Sequence, residues 1–205
     1  MDTLLAKSLS KSMSYKAYRE LVGQLADEQS TTGDEKTEIN IQQTKLNYSR
    51  MKRWDKKIKL SGKTAKRIQS FREKVTWLVI AESWCPDSAH VIPVLNAIAD
   101  LSDTIDLRLV LRDENPELMD AFLTYGKRAI PKLIMIDDLS GEVLNTFGPR
   151  PSEASYYVNR FISENGELTP EFKADLQHWY NNNKGQNIIE DITQMLCDST
   201  PSFCQ

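Results

Sequence analysis

Apolar positions change their spacing twice along the 205-residue chain. Up to about residue 74 they recur at helical intervals among polar residues. Ser14 caps a helix from Tyr15 to about Glu28, and "STTGD" (30–34) is a loop. A second helix spans about 37–59, with Ile41, Leu46 or Asn47, Met51, Trp54 and Ile58 on one stripe. After the Ser61-Gly62 break a short helix covers 64–74. "VTWLVIA" (75–81) is an unbroken apolar run rich in β-branched residues, the pattern of a strand buried on both faces. Helical spacing returns from Pro86 to about Leu101, through Val91, Leu95 and Ile98. "IDLRLVL" (105–111) alternates as a second strand, and Asn115-Pro116 opens a helix ending near Gly126. "KLIMI" (132–136), the turn "DDLSG" (137–141) and "EVLNTF" (142–147) make a hairpin, followed by a helix from about Glu153 to Ser163. Thr169-Pro170 starts another helix, "NNNKGQN" (181–187) breaks it, and a short one follows over 188–196. The tail from Cys197 is expected to be mobile. The organisation is a helical extension (1–74), a β-α-β-α-β-β-α domain of the α/β class (75–165), and a second helical extension with a tail (166–205).

That order has a geometric consequence. Two strands joined by a right-handed crossover run parallel, and the hairpin after them runs antiparallel. Trp84-Cys85-Pro86-Asp87-Ser88 follows the end of the first strand and Arg112-Asp113 the end of the second. Ile130-Pro131 enters the third strand from the same edge, and Gly148-Pro149-Arg150 returns to it. Sites form at that edge of an open α/β sheet. His90 lies one helical turn below Cys85.

Composition narrows the function classes. Hydrophobic residues make up 40%, charged residues 27%, and the net charge is −3, so no global bias toward nucleic acid or membrane exists. The N-terminus has no signal-type apolar region, and no apolar run is long enough to span a bilayer. A cytoplasmic protein is expected. Three cysteines and two histidines carry no zinc spacing, so neither a disulfide framework nor a metal site is expected. Between residues 45 and 74, twelve Lys and Arg face only Asp55 and Glu73. No aromatic interleaving or nucleic-acid motif accompanies them. The stretch reads as a solvated helix face whose charges balance acids elsewhere, rather than as a footprint for nucleic acid or an acidic partner.

The Trp-Cys-Pro at a strand end, with Ile-Pro opening a strand about 45 residues later, resembles the thioredoxin superfamily over about 75–165. "WCPDS", "LRDEN", "LTYGKRAIPKLI", "GPRP" and the upstream "NYSRMKRWDK" together resemble a bacterial thioredoxin-like branch with a monothiol site. The resemblance implies that Cys85 is the nucleophile and Trp84 its preceding tryptophan. It implies that Pro131 is a cis-proline facing the thiol, that the Ile130 backbone pairs with an extended substrate, and that Gly148 flattens the groove. Two positions depart from the pattern. Ser88 replaces the resolving cysteine, and Val79 replaces a buried acid.

A cysteine at a helix N-terminus is favoured as the thiolate, which is the attacking form. Asp87 opposes that and Arg112 and Arg150 assist, so the sign of the sum is open. Ser88 can donate to the thiolate. Without a second cysteine, a mixed disulfide on Cys85 must be released by an external thiol such as glutathione, or by Cys197 or Cys204 from the tail. Asp87, Arg112, Asp113 and Arg150, with Glu82, either ring the thiol as an anion or peptide-carboxylate site or form two structural ion pairs. The expected activity is monothiol thiol–disulfide exchange with a small-molecule or protein disulfide. The alternative is a non-catalytic binding module that keeps the groove, with Cys85 incidental.

Overall fold

The computed structural model describes residues 2–200 and Phe203. In chain order the elements are α1 (Thr3–Ser10), β1 (Met13–Ser14), α2 (Tyr15–Asp27), α3 (Glu38–Lys57), α4 (Gly62–Gln69), β2 (Val75–Ala81) and α5 (Pro86–Ala99). Then come β3 (Ile105–Leu111), α6 (Pro116–Ala121), β4 (Lys132–Asp137), β5 (Val143–Phe147), α7 (Ser152–Asn165), α8 (Pro170–Asn183) and α9 (Gln186–Ser199). The five strands form one sheet in the order β1-β3-β2-β4-β5. β2 and β3 are parallel over Val75–Ala81 against Ile105–Leu111, while β4 runs antiparallel to both β2 and β5. The thioredoxin-like α/β topology read from the sequence is therefore the one the chain adopts.

Ser14, Thr37, Ser61 and Thr169 each accept a backbone N–H in the first turn of the helix that follows. Three boundaries differ from expectation. α4 stops at Gln69 because Phe71, 1% exposed, turns into the core instead of continuing the helix. α6 stops at Ala121, and Tyr125 and Gly126 take positive φ in a tight turn between Thr124 and Lys127. α9 runs on to Ser199, so Cys197 is helical and buried rather than part of a tail. α1 and the two-residue β1, which pairs with β3, lie where no pattern was read; two residues are too few to show alternation.

The two faces of the sheet carry separate cores. One joins Trp77, Val79, Leu109 and Met135 to buried residues of α2, α3, α5, α7, α8 and α9. The other joins Leu78, Ile80, Val110, Ile134 and Ile136 to Leu5 of α1 and Leu118 and Met119 of α6. Both helical extensions thus pack into the same core as the α/β unit: Met51 and Trp54 from one, Phe172, Leu176, Ile188 and Ile192 from the other. On α3 it is Asn47 that turns inward, while Leu46 is exposed. Among the described residues, no helix is long and apolar enough to cross a membrane.

Candidate functional site

Cys85 is the N-cap of α5, with Pro86 in the first turn. Its side chain makes no capping bond; Sγ instead donates to the Ile130 carbonyl at 3.2 Å. The Ile130-Pro131 bond is cis, as is Gly148-Pro149. Gly148 has φ +110°, and a Cβ there would stand 2.2 Å from the Pro131 carbonyl oxygen, so only glycine lets the strand end pass this close. Sequence-distant pieces therefore do meet at one edge.

Cys85 is nonetheless only 5% exposed. Burial first, and the Asp87 carboxylate second, push its pKa up to about 11; hydrogen bonding from Ser88 and the Arg150 charge pull the other way without prevailing. The thiol is protonated at neutral pH, and burial decides the balance that the sequence left open.

Beside the thiol is a buried polar network. Asp87 pairs with Arg150 at 2.7 Å and accepts from the Tyr180 hydroxyl at 2.9 Å. Burial raises the Asp87 pKa against the pull of Arg150; burial lowers that of Arg150, but the Asp87 charge and hydrogen bond together with Tyr180 and Cys85 raise it on balance. Tyr180 stacks on His90 with ring centroids 4.3 Å apart. His90 Nδ1 accepts from Trp54 Nε1 at 2.9 Å, so Nε2 bears the proton and donates to Gln177 Oε1 at 2.8 Å. Burial drives the His90 pKa down to about 3. A cleft of about 580 Å³ opens alongside Pro86, Asp87 and Arg150, walled by Arg50 of α3 and by Lys173, Gln177 and His178 of α8.

Arg112 and Asp113 stand apart from this network. They pair with each other at 2.7 Å, and the Arg112 guanidinium lies over the Trp84 ring, 4.9 Å from its centroid. Burial opposes it, but hydrogen bonds from Arg112 and the Asp34 N–H, with the Arg112 and Arg128 charges, together hold the Asp113 pKa below the usual carboxylate range. The buried Glu82 accepts from the Asp113 N–H at 3.0 Å, and its own pKa is raised by burial. The four charged residues form two separate ion pairs, one joining α5 to the segment before α7 and one beside Trp84, not one ring.

Ser83, just before the site, is a hub that no sequence feature marked. Its hydroxyl meets Thr31 Oγ1 at 3.1 Å and Thr44 Oγ1 at 2.8 Å and accepts from the Thr32 N–H at 3.0 Å. Asn47 Nδ2 donates to its carbonyl at 2.7 Å. These bonds tie the 31–34 loop and α3 to the segment leading into Cys85. Small hydroxyl residues far apart in sequence carry no pattern, so this hub, like Tyr180 and Gln177, was not legible. His90 was, by its position alone.

The structure does not bring Cys197 to Cys85. Cys197 is disulfide-bonded, and its sulfur accepts from Arg67 of α4 at 3.0 Å, near the start of β2 rather than its end. Cys204 lies outside the described residues. Among the described residues, no group of three or more His, Cys, Asp or Glu side chains could hold a metal ion.

A family model described as thioredoxin matches residues 33–165, more than half of the chain. This chain belongs to the thioredoxin family. The match starts well upstream of residue 75 and takes in α3 and α4, so the α3 helix that supports Ser83 and His90 lies within the family unit. Among solved structures, the chain is similar to a protein of unknown function, PA1234, from Pseudomonas aeruginosa, at 16% identity. That likeness covers 93% of this chain and 95% of the other, with a TM-score of 0.65. It is also similar to an HIV epitope scaffold, at 17% identity over 90% and 98% of the two chains, with a TM-score of 0.57. At these identities the likeness is one of fold. No curated protein matches the chain.

Proposed function

We propose that this thioredoxin-family chain is a cytoplasmic monothiol thiol–disulfide oxidoreductase with Cys85 as its nucleophile. The placement of Cys85 carries the reading: it caps α5 with Sγ 3.2 Å from the Ile130 carbonyl, beside Pro131 and Gly148. Cys85 loses its proton to solvent, and the thiolate attacks one sulfur of a disulfide. The S–S bond breaks, one half leaves as a thiolate, and the other stays on Cys85 as a mixed disulfide. Ser88 offers no second thiol, so an external thiol such as glutathione attacks that mixed disulfide and carries the substrate half away. The Cys85 thiolate is regenerated and reprotonated.

Residue roles follow from position. Ser88 favours the thiolate. Pro131 and the Ile130 backbone shape the groove, with Gly148 letting substrate lie flat. Arg150 and Arg112, balanced by Asp87 and Asp113 and flanked by Trp84, orient an acidic part of the substrate. A thiol with a raised pKa ionises sparsely and leaves slowly, so attack is slow at neutral pH and the mixed disulfide persists. Turnover of a glutathione mixed disulfide of a small thiol, followed with and without Cys85→Ser, tests this. Loss of turnover in the variant is expected, and equal turnover would overturn it.

The second reading, a non-catalytic binding module, is favoured by the burial of Cys85 and its pKa of about 11. It requires that Cys85 resist alkylation even in alkaline solution, and that peptide binding be indifferent to Cys85→Ser.

A further inference from the structure

The basic stretch read in the sequence as a solvated helix face balancing acids elsewhere is left without acidic partners where it ends. Arg53, Lys56 and Lys57 in the last turns of α3, Lys59 just beyond, and Lys184 after α8 line one concavity of about 560 Å³, with Asn181 and Trp54. No carboxylate lines it. Among the described residues, none of these five cations enters an ion pair. Asp55, the one acid between Lys45 and Arg72, is held away from them: it accepts from Arg19 at 3.0 Å and from the Tyr15 hydroxyl at 2.5 Å.

The helix dipole explains only part of this gathering. A helix C-terminus favours cations in its last turn, which accounts for Lys56 and Lys57. It does not account for Lys59, or for Lys184. Lys184 takes the left-handed conformation, φ 55° and ψ 27°, a place where glycine or asparagine is favoured. Gly185 follows it with φ +79°, packed so that a Cβ would meet Val94 at 3.1 Å and Trp54 at 3.5 Å. The chain thus keeps a lysine at a strained position on the rim of a hollow already rich in positive charge.

We propose that this concavity is an anion site for a small molecule carrying two or more phosphate groups. A hollow of this volume falls within the range of about 300–1,000 Å³ usual for small-ligand sites. Four lysines supply compact point charges, which suit phosphate oxygens. Arg53 is already fixed by a hydrogen bond to Asn181, so its fork stands prearranged at the wall. Trp54, buried and with its Nε1 committed to His90, lines the hollow. The site is separate from Cys85 and independent of the redox reading.

Calorimetric titration of the full chain with inorganic tripolyphosphate, and separately with ATP, tests the proposal. Saturable binding that weakens with added salt is expected. The triple variant Lys56→Gln, Lys59→Gln, Lys184→Gln, checked for unchanged circular dichroism, should lose at least about tenfold in affinity. Lys45→Gln and Lys63→Gln, outside the hollow, should bind as the wild type does. Equal affinity for the two probes assigns recognition to the phosphates alone, and tighter ATP binding adds the base; both support the site. Absence of saturable binding to either probe, or unaltered binding by the triple variant, overturns it. So does tighter binding of a short single-stranded DNA that the triple variant also loses, which would make the surface a nucleic-acid footprint.

Discussion

The Tyr180 hydroxyl, in the C-terminal extension, donates at 2.9 Å to the Asp87 carboxylate two residues beyond the Cys85 thiol. Asp87 in turn holds Arg150 at 2.7 Å. The charge beside the thiol is therefore governed by a helix that the α/β unit does not contain. Arg150 is occupied by Asp87, so its help to the thiolate is partly cancelled at the source.

Replacing the carboxylate by an amide should uncover that help. In Asp87→Asn the repulsion is gone and Arg150 acts on the thiolate alone, so the Cys85 pKa falls below about 11. Iodoacetamide rates against pH measure it, and an unchanged or higher pKa contradicts the account. The same variant strands a half-buried guanidinium and should lower stability by about 3 kcal/mol, read from urea unfolding.

Alkylation of the wild-type protein gives a second expectation. Below its pKa the thiolate fraction of a thiol rises about tenfold per pH unit. The Cys85 rate should therefore climb without a plateau from neutral pH to about 10. A plateau near neutrality would mean that the helix terminus outweighs burial after all.

His90 makes stability depend on acidity. Its folded pKa of about 3 lies below the unfolded value of about 6.5, so between those limits the unfolded chain binds one more proton. Stability from this group is complete above about 6.5 and is lost as pH falls toward 3. At about 1.4 kcal/mol per unit, going from pH 6.5 to 5 should cost about 2 kcal/mol. Glu82 and Asp87, whose pKa values are raised, act in the opposite direction, so the comparison is with His90→Gln. That variant is less stable at neutral pH but should show a shallower acid decline; parallel declines contradict the prediction.

Gly148→Ala places a methyl group 2.2 Å from the Pro131 carbonyl at a φ of +110°. Backbone cannot yield as a side-chain tip can, so the cost should reach about 3 kcal/mol or more, measured by thermal unfolding. Ala at the exposed Gly126, which also has positive φ but open space around it, should cost only about 1 kcal/mol.

The strands, the parallel crossover, the antiparallel return and the meeting of Cys85 with Ile130-Pro131 and Gly148 were legible in the chain. Their signals are local: apolar runs of the right length, proline at helix starts and glycine at strand ends. Chain direction alone then carries the loops to one edge. α1, β1 and the true ends of α4, α6 and α9 were not legible. Short elements hold too few residues to show a period, and Phe71 ends a helix through burial rather than through a capping residue.

At the candidate site the division is sharper. The sequence by itself determined which thiol stands at the helix start and that no partner thiol stands one turn along, because both depend only on position. The protonation of Cys85, the division of four charges into the Asp87–Arg150 and Arg112–Asp113 pairs, and the part played by Tyr180, Trp54 and Ser83 were decided by tertiary structure. Desolvation and pairing depend on what packs against a group. The residues that pack here are far apart in the chain; Asp87 and Tyr180 alone are separated by 93 positions.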